Sequence, residues 1–140
     1  MSLQSISLVT LGIRDLDRSR RFYGEGFGWS PVFGNAEILF YQMNGLVLGL
    51  WLAGRLADDM RRPAANPGSI SLAHNVASEA EVDRLLLRLA DNGGTPLRAA
   101  DSPFHGSYRG YVADPDGHSW EIAFNPAWAI DAEGHVRFAG

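Results

Sequence analysis

All twelve basic residues of this chain are arginine, and it has no cysteine. A Schiff-base lysine, the lysine of a phosphate-binding loop and a thiol nucleophile are therefore excluded, as are thiolate metal ligands and disulfides. Carboxylates, hydroxyls and four histidines remain for chemistry. The histidines stand in different surroundings: His74 in a strand-like run, His105 in a loop with Pro103, Phe104 and Gly106, His118 beside an Asp-Gly turn, and His135 in the tail. Of these, His105 is the one placed to touch a ligand, since loops on a rigid scaffold supply binding groups. Glu121 is a carboxylate inside the run Ser119-Trp120-Glu121-Ile122-Ala123-Phe124. Burying such a group is costly unless it is paired or protonated. Glu121 is thus either an anchor and proton acceptor or part of a structural network with Arg109, Tyr111, Asn75 or Thr10.

Two similar runs of elements position these groups. Residues 6–13 are apolar and β-branched, which suits a strand. Asp15 reads as a helix N-cap, Asp17 and Arg21 are spaced to pair, Phe22 and Tyr23 supply the buried end, and Gly24, Gly26 and Gly28 stop the helix. A short strand ends near Gly34-Asn35, and residues 37–43 and 46–53 form a hairpin around Asn44-Gly45, a type I′ signal. Residues 54–68 carry three Arg, two Asp and two Pro and read as a surface linker.

The second run repeats the first. Residues 69–76 form a strand, and Ser78 with Glu81 forms a capping box. Val82, Leu85, Leu86 and Leu89 make one helical stripe, ended by Asn92-Gly93-Gly94. Strands follow at 95–100, 108–113 and 118–124, the last two joined by Asp114-Pro115-Asp116-Gly117. The chain is thus expected to be one α+β domain over 1–140: unit one at about 5–53, the linker at 54–68, unit two at about 69–126 and a terminal hairpin at 127–140. Leu8 to Ile13 aligns with Ser71 to Val76, and Gly45 to Leu52 with Gly117 to Phe124.

With 140 residues, 46% of them hydrophobic, the chain can bury a core without disulfides or a structural metal. A net charge of -4 offers no basic field for nucleic acid. No long apolar run and no leader-like N-terminus are present, so no membrane partner and a cytoplasmic location are expected.

Three stretches carry a family resemblance: Leu8-Val9-Thr10-Leu11-Gly12-Ile13-Arg14-Asp15-Leu16, Phe22-Tyr23 ahead of Phe27-Gly28-Trp29, and Gly110 through the Asp-Pro-Asp-Gly turn to Glu121-Ile122. Together with the doubled strand-helix-three-strand order, they resemble the vicinal-oxygen-chelate superfamily of glyoxalases, extradiol dioxygenases, fosfomycin-modifying enzymes and bleomycin-sequestering proteins. The resemblance implies two βαβββ units curling into a mixed-sheet half-barrel with helices outside, closing its cavity within one chain and pairing as a homodimer. It places the metal-ligand positions at Leu8, Gly49, Ser71 and Glu121. Only Glu121 is a good donor, whereas a catalytic divalent site needs about three.

Strand alternation from Glu121 puts Ser119 and Ala123 on the cavity side, with Leu8, Thr10, Gly12, Val47, Gly49, Trp51, Ser71, Ala73 and Asn75. His74 falls on the opposite face. The expected site is therefore Glu121 as the catalytic group, with Trp51, Ser71, Asn75, Phe104, His105, Tyr108 and Tyr111 binding a small molecule; Tyr41 and Arg109 are further rim candidates. No metal and no other cofactor is assigned. Two alternatives stand beside this one: a divalent-metal lyase, isomerase or dioxygenase of glyoxalase type, and a non-catalytic structural or regulatory domain with a filled cavity.

Overall fold

The computed structural model describes residues 2–65, 67–103 and 106–138. Unit one contains β1 (Leu8–Ile13), α1 (Leu16–Arg20), β2 (Phe33–Gly34), β3 (Ile38–Gln42) and β4 (Val47–Leu52). Helix α2 (Ala53–Met60) connects it to unit two, which contains β5 (Ser71–Asn75), α3 (Glu79–Asp91), β6 (Thr95–Asp101), β7 (Tyr108–Ala113) and β8 (Ser119–Phe124). A hairpin of β9 (Trp128–Ile130) and β10 (Val136–Phe138) follows.

The expected repeat holds to the level of register. Each unit forms a four-stranded mixed sheet, ordered β1-β4-β3-β2 and β5-β8-β7-β6, with its first and last strands parallel. Thr10 lies opposite Gly49 as Ala73 lies opposite Glu121. The two sheets do not join into a barrel, so the cavity closed within one chain is not formed. Their inner faces instead share one core: Leu11, Ile13, Leu39, Tyr41, Leu48 and Leu50 from one sheet, Val112, Trp120 and Ile122 from the other, and Phe22, Tyr23, Phe27, Val82 and Leu89 between them. The outer faces carry the alternate residues.

The expected caps are present: Asp15 accepts from the Arg18 N–H and Ser78 Oγ from the Glu81 N–H. After α1 the chain widens into a π-helical turn over Arg21–Gly26, and the Phe27 N–H reaches the Phe22 carbonyl. Arg21 bonds the Asp91 carbonyl at 2.6 Å, so it joins the π-helical turn to α3 rather than pairing with Asp17. Two further expectations are corrected. The first half of the supposed linker is α2, held by packing, because a Cβ on Gly12 would lie 3.4 Å from the Ala53 Cβ and 3.5 Å from Leu56. The Asn44-Gly45 turn is not type I′, since only Gly45 has a positive φ.

The Asp-Pro-Asp-Gly turn joins the units. Asp114 is buried, and its Oδ1 accepts from the N–H groups of Asp116 and His118 while its Oδ2 accepts from Tyr23 Oη at 2.7 Å. Trp120 Nε1 donates to the same Tyr23 oxygen at 3.0 Å. Asp116 accepts from the backbone and side chain of Arg14 and from Arg18, and His118 Nε2 donates to the Gly12 carbonyl at 2.7 Å.

Replacing Asp114 by Ala strands one buried hydroxyl and two backbone N–H groups, so the unfolding free energy should fall by about 2–4 kcal/mol at neutral pH. Burial raises the Asp114 carboxyl above its ordinary 3.8. The folded state therefore holds this proton more tightly than the unfolded state. In denaturant titrations, the advantage of wild type over Asp114→Ala should be largest below that ordinary value and shrink as the pH rises through the raised one.

Candidate functional site

On the outer face of the second sheet, ladder register aligns side chains in rows across four strands. Ala73, Glu121, Tyr111 and Arg98 form one row; Ala123, Arg109 and Asp101 form the next, with Asn75 beside Ala123. Ser71 and Ser119 begin a third. Cross-strand neighbours on one face are close enough to interact, and these do. Tyr111 Oη donates to Glu121 Oε1 at 3.1 Å. Arg109 pairs closely with Asp101, and Arg98 reaches the other oxygen of the same carboxylate at 3.3 Å. Hydrogen bonds from Arg109 and Arg98 hold the Asp101 carboxyl below its ordinary range. Partial burial, and then the neighbouring Glu121 charge, push the Tyr111 phenol up.

Glu121, Tyr111, Ser71 and Asn75 thus share one face. Tyr108 does not join them, although it was expected at the same rim. It pairs with Phe124, three residues and one change of face from Tyr111, and its hydroxyl donates to Asp83 of α3 at 2.6 Å. Trp51 lies on the outer face of the first sheet, opposite Gly12 and Ile38. Phe104 and His105 lie outside the described residues. Tyr41 is a core residue, 1% exposed. His74 faces inward as expected, its ring edge-on to Phe27 and Trp29.

Arg98 and Asp101 escaped the sequence reading. Three residues apart, they should alternate to opposite faces, but irregular register between them sets Arg98 against Tyr111 and Asp101 against Arg109. Pro96 inside this edge strand was the available signal, since proline marks edges and bulges.

The arrangement offers a carboxylate that accepts a proton or a hydrogen bond, a phenol beside it, and two guanidiniums whose present partner is a single carboxylate. A sequence model of the Glyoxalase/Bleomycin resistance protein/Dioxygenase superfamily matches residues 5–122. This chain belongs to that superfamily. A crystal structure of a glyoxalase-related enzyme from Fulvimarina pelagi is 60% identical, with a TM-score of 0.95, covering 99% of this chain and 100% of that one. Metallothiol transferase FosB of Lysinibacillus sphaericus (strain C3-41) is 27% identical over 122 residues, 87% of this chain and 83% of its own. The fold is shared with lactoylglutathione lyase from Agrobacterium tumefaciens, 24% identical with a TM-score of 0.70 over 93% of this chain and 100% of that one.

Dioxygenases and metallothiol transferases imply a metal, and the side chains present here do not fit one. Leu8 has no donor atom, Gly49 has no side chain, and a Ser71 hydroxyl is a weak ligand beside Glu121. Among the described residues, no three His, Asp or Glu side chains are grouped to hold an ion. Nor is any described helix long and apolar enough to cross a membrane.

Because the Glu121 charge helps raise the Tyr111 phenol, Glu121→Gln should move the Tyr111 titration down toward the ordinary 10.0. Following the tyrosine ring-carbon resonances through alkaline pH checks this. An unmoved titration would show that the 3.1 Å contact does not persist in solution.

Proposed function

We propose that this protein binds a small molecule on the outer face of its second sheet and acts there without the superfamily's divalent metal. The observation that carries the reading is the Tyr111–Glu121 hydrogen bond, made at the one family ligand position that keeps a good donor. The carboxylate accepts a proton or hydrogen bond from the ligand, and Tyr111 fixes the direction of its lone pairs. Arg109 and Arg98 suit an acidic group on the ligand, which would compete with Asp101 for them. The description of the Fulvimarina relative as an enzyme favours a catalytic form of this reading, with Glu121 as general base toward a carbon acid.

The reading includes a homodimer. The first sheet's outer face is apolar, with Leu8 47% and Phe33 50% exposed and Phe33 packed on Phe40 at 5.7 Å between ring centres. Monomeric surfaces seldom leave such a patch open, and a second copy would cover it. Trp51, on this same face, would then contribute to the ligand site from the apolar side.

A thermal-shift and calorimetric screen of small carboxylic acids tests the reading. Hits should lose about tenfold or more in affinity in Glu121→Gln, the cost of a hydrogen bond to a charged group, and less in Tyr111→Phe. Light scattering should give twice the chain mass. Hits whose affinity is unchanged in both variants, or a monomer at working concentration, would count against it.

A further inference from the structure

A second cleft wraps the free edge of β5, where the two units and the terminal hairpin meet, so that Ala73 and Asn75 border it as well as His74. Its larger lobe, about 530 Å³, is lined by Trp29, Tyr41, Gln42, Asn44, His74 and Asn75, with Ile130, Gly134 and Val136 of the hairpin region as one wall. A smaller lobe of about 210 Å³ adjoins it and is apolar, with Val9, Leu48, Leu72 and Trp120 among its walls. The lobes share Trp29, Met43, Asn44, Ala73 and His74. The larger lobe falls in the roughly 300–1,000 Å³ range of small-molecule pockets.

Three features define what would fit. Neither lobe is lined by a charged side chain, so an ionic ligand would lose hydration without gaining a partner. Trp29 is held in place by stacking on Phe27 at 4.1 Å, and His74 lies edge-on to both rings, so the aromatic wall is preorganised. Hydrogen-bonding capacity is also left over. The Tyr41 hydroxyl is buried without a partner. No side-chain hydrogen bond is made by His74 or Trp29 among the described residues, and burial holds the His74 imidazole below its ordinary value, in the neutral form that can both donate and accept. Buried polar groups are normally satisfied, and at this cleft the Tyr41 hydroxyl is the exception, while the half-buried rings of His74 and Trp29 keep nitrogens open to a ligand.

From this we infer that the cleft is a second binding site, distinct from the Glu121 face, for an uncharged planar heteroaromatic molecule that hydrogen-bonds along one edge. The ring lies against Trp29 and His74, its polar edge meets the His74 imidazole and the amide side chains that line the larger lobe, and an apolar substituent enters the smaller lobe. The hairpin is the gate-side wall. Asn44 Nδ2 ties it down by donating to the Gly134 carbonyl at 3.1 Å and the Glu133 carbonyl at 3.4 Å.

The probe is 2-quinolone, a neutral bicycle with adjacent N–H and C=O groups; quinoline-2-carboxylate is its anionic counterpart. In heteronuclear NMR titrations of the wild-type protein, 2-quinolone should shift the Trp29 indole N–H and His74 imidazole signals saturably, leaving Tyr111 unmoved. Affinity should fall about tenfold in His74→Phe, which keeps a ring and removes its hydrogen bonds. Asn44→Ala, which frees the hairpin at the surface, should weaken binding as well and does not depend on tolerating a change at His74. The carboxylate should bind about tenfold more weakly than 2-quinolone. Shifts confined to Tyr111 and its neighbours, no saturable shift at Trp29 and His74, or equal binding of the two probes would each overturn the inference.

Discussion

The structure depends on one buried carboxylate. Asp114 ties a Tyr23–Trp120 pair, drawn from both units, to the turn that carries it, while Asp116 in the same turn collects Arg14 and Arg18. These six residues thereby fix how one sheet sits on the other. A carboxylate is suited to this role because it accepts several hydrogen bonds at once, and in a buried setting each is worth more than at the surface. Its cost is desolvation, visible in the raised proton affinity of Asp114. Once the inner faces are locked into a single core, both outer faces are left outside it.

Those faces differ in character although their registers coincide. Where the second sheet has Glu121 beside Tyr111, the first has Gly49 beside Phe40, and the Leu8 and Phe40 side chains each come within 3.3 Å of where a Gly49 Cβ would be. The repeat has thus placed a polar row in one half and an apolar surface in the other. His74 and Ser71, three residues apart on β5, serve the two sides of the same edge strand, which is why one strand borders both the Glu121 face and the junction cleft.

Much of this was legible in the sequence. The Asp15 and Ser78 caps, the Val82–Leu89 stripe, the Asp-Pro-Asp-Gly turn and the shared face of Glu121, Tyr111, Ser71 and Asn75 all follow from local rules that the tertiary structure leaves in force. The departures share a cause, which is that a distant contact outweighs the local signal. Helix α2 lacks a side-chain cap and forms because Gly12 lets Ala53 and Leu56 approach β1. Irregular pairing in β6 returns Asp101 to the Glu121 face against the parity of its number. Tyr108 is a different case, since plain alternation from Tyr111 already sends it to the α3 side. The open arrangement of the two sheets was hidden for the same reason, since alternation gives the face of a strand but not which body covers it.

The central claim is that the Glu121 face works without a divalent metal, and elemental analysis of the purified protein after dialysis against metal-supplemented and then metal-free buffer tests it most directly. One carboxylate with a phenol, a serine and an asparagine on its face gives too little coordination energy to retain an ion, so zinc, nickel, manganese and iron should each fall far below one equivalent per chain. Close to one equivalent of any of them, retained through dialysis and lost in Glu121→Gln, would contradict the account.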